Sequence, residues 1–266
     1  MKCLFFDVDG TLVPFGQPVP RDTIEALAQA KANGSRLFLS TGRSPAEVDP
    51  RLSEIPFDGG VYSGGARAFV DGRDIYASYI PADDLAFYID ESSCHGWRIL
   101  LQTDGQSYYT GDFHDILMDM FHRHVGTDIV IRNLTQLDTL PVLDNVTKLI
   151  LLTPDGDMDR AHEAFDSRFD VLNNTVGVPS CLMAEVCQKG VDKGHAMLEV
   201  MKHLGLPVSQ SIAFGDGSND HEIIQMAGIG VAMGNAEEAL KAKADYVTAE
   251  CDKGGIAQAL RHFGVI

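Results

Sequence analysis

Leu4-Phe5-Phe6-Asp7-Val8-Asp9-Gly10-Thr11 opens with three apolar residues and changes abruptly to two acids and a glycine. A short apolar run that ends in a turn signal is typical of a buried strand. Two carboxylates at the end of that strand repel each other unless a cation or a proton resolves the repulsion. A lone Asp-x-Asp pair is more often a solvated turn, so its meaning depends on what else the chain brings to this strand end.

Strand and helix patterns alternate after this stretch. Asp22 and Glu25 resemble a capping box that opens a helix, and Asn33-Gly34 would end that helix. Leu37-Phe38-Leu39 predicts a second buried strand, and we expect another helix after Pro45. This order of elements predicts parallel strands joined by crossover helices.

The C-terminal part repeats the same order of elements. Asp192 is a predicted N-cap, and the strands and helices that follow it are predicted at 211–214, 219–228, 229–233 and 236–243. Four strand ends therefore fall in polar, glycine-containing loops, and an open α/β sheet binds ligands outside such ends. The predicted fold class is α/β, with a doubly wound parallel sheet.

The middle of the chain has a different pattern. Helices are predicted at 82–94, 112–125 and 157–168, and strands at 98–102, 106–110, 148–152 and 181–186. This mixture is typical of an α+β unit set into the α/β core. We predict a catalytic core formed by 1–80 and 188–266, and an inserted α+β cap domain at 81–187.

Composition limits the classes of partner. The 266 residues carry 21 Lys and Arg against 38 Asp and Glu, a net charge of −17, which disfavours nucleic acid and an anionic membrane surface as partners. The five scattered cysteines include no CxxC pair, so reduced thiols are expected. The acids at Asp7 and Asp9 interrupt the opening apolar run, which argues against a signal-peptide core there. We expect a cytoplasmic protein.

Four motifs in order give the chain a family resemblance. Asp7–Thr11 resembles the first motif of the haloacid dehalogenase-like phosphatases, and Ser40-Thr41-Gly42-Arg43 is similar to the second. The third and fourth are matched by Lys189–Gly194 and by Gly215–Asp220. The wording of these motifs, with Val231–Ala236, is similar to that of the Cof-type subfamily, which carries a large α+β (C2-type) cap.

The resemblance implies roles for the acids. Asp7 would attack phosphorus and form an aspartyl-phosphate, and Asp9 would protonate the leaving group and then activate water. Mg²⁺ is the implied cofactor, with Asp7, Asp9, Asp216 and Asp220 as its site, Asp9 through its main-chain carbonyl. Asp220 is expected to act through water or by orienting Lys193. Hard oxygen ligands agree with this choice of metal.

Phosphate binding is expected from Thr41, Gly42, Lys193 and Asn219. A hydroxyl, backbone N–H groups in a glycine-containing loop, an ammonium and an amide are all suited to a bound anion. Taken one at a time, these residues are more often helix caps or solvated groups. As a set at successive strand ends, they favour the phosphate site.

The sequence thus predicts a Mg²⁺-dependent phosphatase acting on small phosphorylated metabolites such as sugar phosphates. Two alternatives remain open at this stage: a phosphotransferase or mutase that uses the same aspartyl-phosphate, and a phospho-ligand sensor without catalysis. Loss of Asp7 or Asp9 would favour the sensor, and both acids are present. The sequence does not identify the substrate or the oligomeric state.

Overall fold

The structure is a computed structural model that describes residues 1–14, 17–48, 50–126, 133–174 and 177–266. The chain forms two compact units. The core unit comprises Met1–Arg43, Val48–Ala77 and Asp192–Ile266, and the inserted unit comprises Ser44–Glu47 and Ser78–Val191. The bounds predicted for a catalytic core and a cap, as functional domains, stay a prediction.

An eight-stranded sheet forms the centre of the core unit. Numbered along the whole chain, its strands are β1 (Cys3–Phe6), β2 (Arg36–Ser40), β3 (Gly59–Tyr62), β4 (Arg67–Val70), β5 (Arg73–Ala77), β12 (Ser211–Gly215), β13 (Gly230–Ala232) and β14 (Tyr246–Val247). Their order in the sheet is β14-β13-β12-β1-β2-β3-β4-β5. The first six strands of that order pair in parallel, and β4 and β5 are added antiparallel.

Helices cover both faces of this sheet. They are α1 (Arg21–Ala32), α5 (Lys193–His203), α6 (His221–Met226), α7 (Glu238–Lys241) and α8 (Gly255–His262). Alternate residues of a strand point to opposite faces, and β1 shows this directly. Leu4 and Phe6 belong to the apolar cluster shared with α1 and α8, whereas Phe5 belongs to the cluster shared with α5 and α6. The predicted doubly wound α/β core is confirmed.

The inserted unit has its own six-stranded sheet, in the order β10-β11-β9-β6-β7-β8. Its strands are β6 (Arg98–Gln102), β7 (Ser107–Thr110), β8 (Leu134–Leu137), β9 (Lys148–Leu152), β10 (Phe169–Asn173) and β11 (Met183–Gln188). Its helices are α2 (Ala82–Cys94), α3 (Phe113–His124) and α4 (Met158–Phe165). One apolar cluster contains Tyr88 of α2 and Phe165 of α4, and a second contains Phe121 of α3. The predicted α+β insertion is confirmed.

Two local predictions are wrong. The helix expected after Pro45 is replaced by two short 3₁₀ turns, Pro45–Glu47 and Pro50–Glu54, because a second proline five residues later cannot continue a helix. Asp22 is not an N-cap: α1 begins at Arg21, and Asp22 lies in its first turn. There the carboxylate accepts the Thr23 N–H at 2.8 Å and complements the helix dipole.

Among the described residues, no helix is both long enough and apolar enough to cross a membrane.

Candidate active site

The predicted site residues follow neighbouring strands at the middle of the core sheet. β1 lies between β12 and β2, and the three strands run parallel, so their carboxyl ends share one edge. From β1 the chain proceeds outward through β2 and β3 on one side and later through β12 and β13 on the other. Such a reversal of strand order opens a crevice at the strand ends, which is where α/β proteins bind ligands.

Lys193 connects the first and fourth motifs. Its ammonium lies 2.7 Å from Asp7 Oδ1, 2.7 Å from Asp220 Oδ1 and 3.2 Å from the amide oxygen of Asn219. The Lys193 side chain is fully buried at the start of α5, and Asp192 caps that helix by accepting the His195 N–H at 2.9 Å. Three hydrogen bonds hold the ammonium, and one of them holds the Asp7 carboxylate.

Asp216 follows β12 and lies against the loop after β1. Its Oδ1 accepts the Thr11 hydroxyl at 2.7 Å, and its Oδ2 lies 3.4 Å from the Asn235 amide nitrogen. Asn235 also donates to the Gly10 carbonyl at 2.8 Å. Gly10 has φ +89°, and a Cβ there would lie 2.1 Å from Asp216 Oδ2, so only glycine fits this close approach.

Asp220 accepts hydrogen bonds from the loop after β12 and from Lys193. Its Oδ2 accepts the backbone N–H groups of Asp216 and Gly217 at 3.0 and 3.1 Å, while Oδ1 accepts from Lys193. Both oxygens are thus engaged within the protein. This geometry is the expected one for a residue that orients Lys193 and holds the loop that carries Asp216.

Three of the acids form a compact group. One carboxylate oxygen from each of Asp7, Asp216 and Asp220 lies within 4.8 Å of the others. Burial, with the charges of Asp220 and Asp216 added, raises the pKa of Asp7 well above its usual range, against the opposing effect of Lys193. Burial likewise raises the pKa of Asp216 to about 7, although the Thr11 hydrogen bond opposes it.

The donor set fits a divalent cation. At full ionisation, three carboxylates and the Lys193 ammonium leave two negative charges uncompensated in a largely buried group. Burial is the main cause of the raised pKa values of Asp7 and Asp216, and the neighbouring carboxylates add to it, so a bound cation would favour the ionised forms. Carboxylate oxygens without nitrogen or sulfur ligands are the set that Mg²⁺ prefers.

Asp9 lies outside this group of three acids. Arg43 donates to it twice, from Nε to Oδ2 and from Nη2 to Oδ1, each at 2.7 Å. The cation that holds Asp7 is Lys193. Burial lowers the pKa of Lys193, but Asp220 and Asp7 outweigh burial and raise it. The two acids of the first motif are therefore held by different cations.

The remaining predicted residues are placed as follows. Thr41 is buried directly after β2, and its Oγ1 accepts the Arg43 N–H at 3.1 Å, so its hydroxyl hydrogen can still donate to an anion. Gly42 lies between these two residues in the same loop. Asn219 accepts a hydrogen bond from the Lys193 ammonium through its amide oxygen, and its part in phosphate binding stays a prediction.

Sequence reasoning missed three residues of this site. Arg43, Thr11 and Asn235 were quoted within the motifs but received no role. For Arg43 the available signal was a cation next to a predicted anion-binding hydroxyl. For Thr11 and Asn235 the sequence holds no comparable signal, because each acts through a partner about two hundred residues away.

The sequence profile of the haloacid dehalogenase-like hydrolases matches residues 4–260. The chain belongs to this family. The match spans both units, and the predicted Cof-type assignment is confirmed by a structural neighbour of the same subclass.

Named relatives cover nearly the whole chain. It is 29% identical to the HMP-PP phosphatase of Yersinia enterocolitica over 97% of this chain and 93% of that protein. It is 24% identical to the 5-amino-6-(5-phospho-D-ribitylamino)uracil phosphatase YitU of Bacillus subtilis, over 97% and 95%. The solved structure of the HAD subclass IIB sugar phosphatase BT4131 is 31% identical, with a TM-score of 0.83 and full coverage of both chains.

Proposed function

We propose that the protein is a Mg²⁺-dependent phosphatase that hydrolyses small phosphate monoesters through an aspartyl-phosphate on Asp7. The observation that carries the proposal is the buried contact between Lys193 and Asp7, set among the acids Asp216 and Asp220. Family membership and relatives that are named phosphatases support the same reaction. The expected cytoplasmic location, and the absence of nucleic-acid and membrane partners, stay predictions.

The first chemical step uses the two acids of the first motif. Lys193 holds Asp7 through Oδ1, so Oδ2 is the oxygen that attacks phosphorus. The new Asp7–phosphorus bond forms as the bond to the leaving oxygen breaks, and Asp9 gives its proton to that oxygen. In-line displacement of this kind depends mainly on positioning and on neutralised charge.

The second step returns the enzyme to its starting state. Asp9, now ionised, takes a proton from a water molecule, whose oxygen attacks phosphorus and displaces Asp7 as inorganic phosphate is released. The Thr41 hydroxyl, the Gly42 backbone and the Asn219 amide would bind phosphate oxygens throughout. Asp7, Asp216 and the main chain at Asp9 would hold Mg²⁺, and Asp220 would act through water or by orienting Lys193. The ion neutralises charge between the acids and the phosphate when bound.

The inserted unit would act as the cap that selects the substrate. The relatives are named for different compounds, HMP-PP at 29% identity to this chain and 5-amino-6-(5-phospho-D-ribitylamino)uracil at 24%. Likeness to one relative therefore supports a class, small phosphorylated metabolites, and not one compound.

The proposal is tested by phosphate release from a panel of phosphorylated metabolites with Mg²⁺ and with EDTA. We expect the wild type to release phosphate with Mg²⁺ and not with EDTA. We expect no phosphate release from folded Asp7→Asn protein. Brief incubation with labelled substrate and an acid quench should trap label on the wild-type protein. Full activity of Asp7→Asn would refute the proposal, and label transferred to an added sugar in place of water would identify a phosphotransferase.

A further inference from the structure

Asp9 is held by a two-pronged contact from a single side chain. The Arg43 guanidinium uses Nε and Nη2, and each lies 2.7 Å from a different oxygen of the Asp9 carboxylate. This geometry fixes the plane of the carboxylate as well as its position, which a lysine cannot do. The two side chains keep 37% and 33% of their surface exposed, so a leaving group can still reach Asp9.

The Arg43 backbone is also held within the core unit. Its N–H donates to Thr41 Oγ1 at 3.1 Å, and its carbonyl accepts the Ser63 N–H at 2.8 Å. The same loop thus carries the predicted phosphate hydroxyl and the group that orients Asp9. A shift in this loop would disturb both together.

We propose that Arg43 is the positioning residue for Asp9. The inference rests on the proposed phosphatase function, because it assigns Asp9 as the proton donor to the leaving oxygen. The two contacts from one guanidinium aim the Asp9 carboxylate in a single orientation.

The test compares two esters in single turnovers with enzyme in excess, which isolates the first step. 4-Nitrophenyl phosphate releases a stable anion that needs no proton, whereas an alkyl phosphate that the wild type hydrolyses does need one. Arg43→Ala should slow alkyl-ester cleavage about 10²-fold or more, the scale of general acid catalysis, and slow the aryl ester less than about fivefold. Arg43→Lys should cleave the alkyl ester at no more than about a tenth of the wild-type rate, because an ammonium cannot make the two-pronged contact.

Arg98→Gln is the control for Arg43→Ala. Arg98 pairs with Asp112 on the exposed surface of the inserted unit, so its replacement should change neither rate.

Two results would overturn the inference. They are equal losses for both esters in Arg43→Ala, and full recovery in Arg43→Lys. Thermal melting of each variant verifies that it is folded. A wild type that cleaves neither ester with Mg²⁺ would instead refute the phosphatase proposal itself.

Discussion

Lys193 Nζ lies 2.7 Å from Asp7 Oδ1, and the lysine side chain that makes this contact is completely buried. The contact joins the end of the first strand to the start of a helix 186 residues later. Burying an ammonium is costly unless anions surround it, and here Asp220 supplies a second contact at 2.7 Å. The lysine therefore joins Asp7 and the fourth motif in one hydrogen-bonded group.

Replacement of Lys193 should damage stability and activity together. Lys193→Met leaves Asp7 and Asp220 buried without their cation, so we expect a loss of about 3–5 kcal/mol in the free energy of unfolding. Phosphate release should fall at least about 10²-fold, because Asp7, the proposed nucleophile, is no longer held. Urea unfolding and steady-state kinetics measure the two effects.

A double variant separates the two effects. Lys193→Met with Asp220→Asn removes one of the stranded charges, so part of the stability should return while activity stays low. If activity returned along with stability, Lys193 would be a structural residue, and its contact with Asp7 would not contribute to catalysis.

A hydroxyl contact is expected to tune metal binding at Asp216. Thr11 is 1% exposed and donates to Asp216 Oδ1 at 2.7 Å. Thr11→Val keeps the shape and removes this bond, which to a charged group is worth about 1.5–3 kcal/mol. The Mg²⁺ concentration for half-maximal activity should therefore rise about tenfold or more, with little change in the maximal rate.

Thr23→Val is the matched control. Thr23 is also 1% exposed, and its hydroxyl has no hydrogen-bond partner within the described part of the chain. The same loss of a hydroxyl should there leave the Mg²⁺ dependence unchanged. A similar rise in both variants would mean that the effect comes from the packing of the core and not from Asp216.

Much of this site could be predicted because its signals are local. An apolar run that stops at Asp7, or at Gly215, marks a strand end from a few residues alone. The pairing of Arg43 with Asp9 could not be predicted in the same way, since it links two loops that only the folded sheet brings together. The wrong prediction of a helix after Pro45 is the reverse case, because Pro50 is a local signal against a continued helix.

The inserted unit also contains elements that the sequence predicts and one strand that it does not. α2 and β6 have the predicted bounds, because their apolar patterns are strong and their ends are marked. β10 (Phe169–Asn173) was not predicted, since two of its five residues are exposed and its apolar signal is weak. Antiparallel pairing with β11 makes it a strand, and that is a tertiary effect.

Metal-dependent stabilisation should increase with pH. A carboxyl whose pKa is raised by folding stabilises the fold fully below its unfolded pKa, and that contribution is lost as the pH rises through the folded pKa. Asp216 has a folded pKa of about 7, and that of Asp7 is also raised. With EDTA, these groups should lower the melting temperature between about pH 5 and about pH 8.

Mg²⁺ should oppose that loss, because it binds the ionised carboxylates and displaces their protons. The rise in melting temperature on adding Mg²⁺ should thus be small near pH 5 and grow toward pH 8, as differential scanning calorimetry would measure. Asp216→Asn should flatten this dependence. A metal-induced rise that stayed constant across the range would contradict the raised pKa values of Asp7 and Asp216.

Tyr88 offers a test of the inserted unit that is independent of catalysis. Its ring packs 4.9 Å from Phe165 and 5.9 Å from Phe169, and its buried hydroxyl has no hydrogen-bond partner among the described residues. Burial raises the pKa of this hydroxyl well above its usual value. An unsatisfied polar group in an apolar core costs free energy, so Tyr88→Phe should raise the free energy of unfolding by about 1 kcal/mol.

Denaturant unfolding and kinetics together check this expectation. Phosphate release should be unchanged, since Tyr88 belongs to the apolar cluster of the inserted unit. Phe165→Ala in the same cluster should instead cost about 3–5 kcal/mol, because it removes a ring that Tyr88, Trp97 and Phe169 all contact. A fall in the free energy of unfolding for Tyr88→Phe would mean that a water molecule hydrogen-bonds to the hydroxyl. Removing a hydroxyl destabilises the fold only when that hydroxyl makes a hydrogen bond.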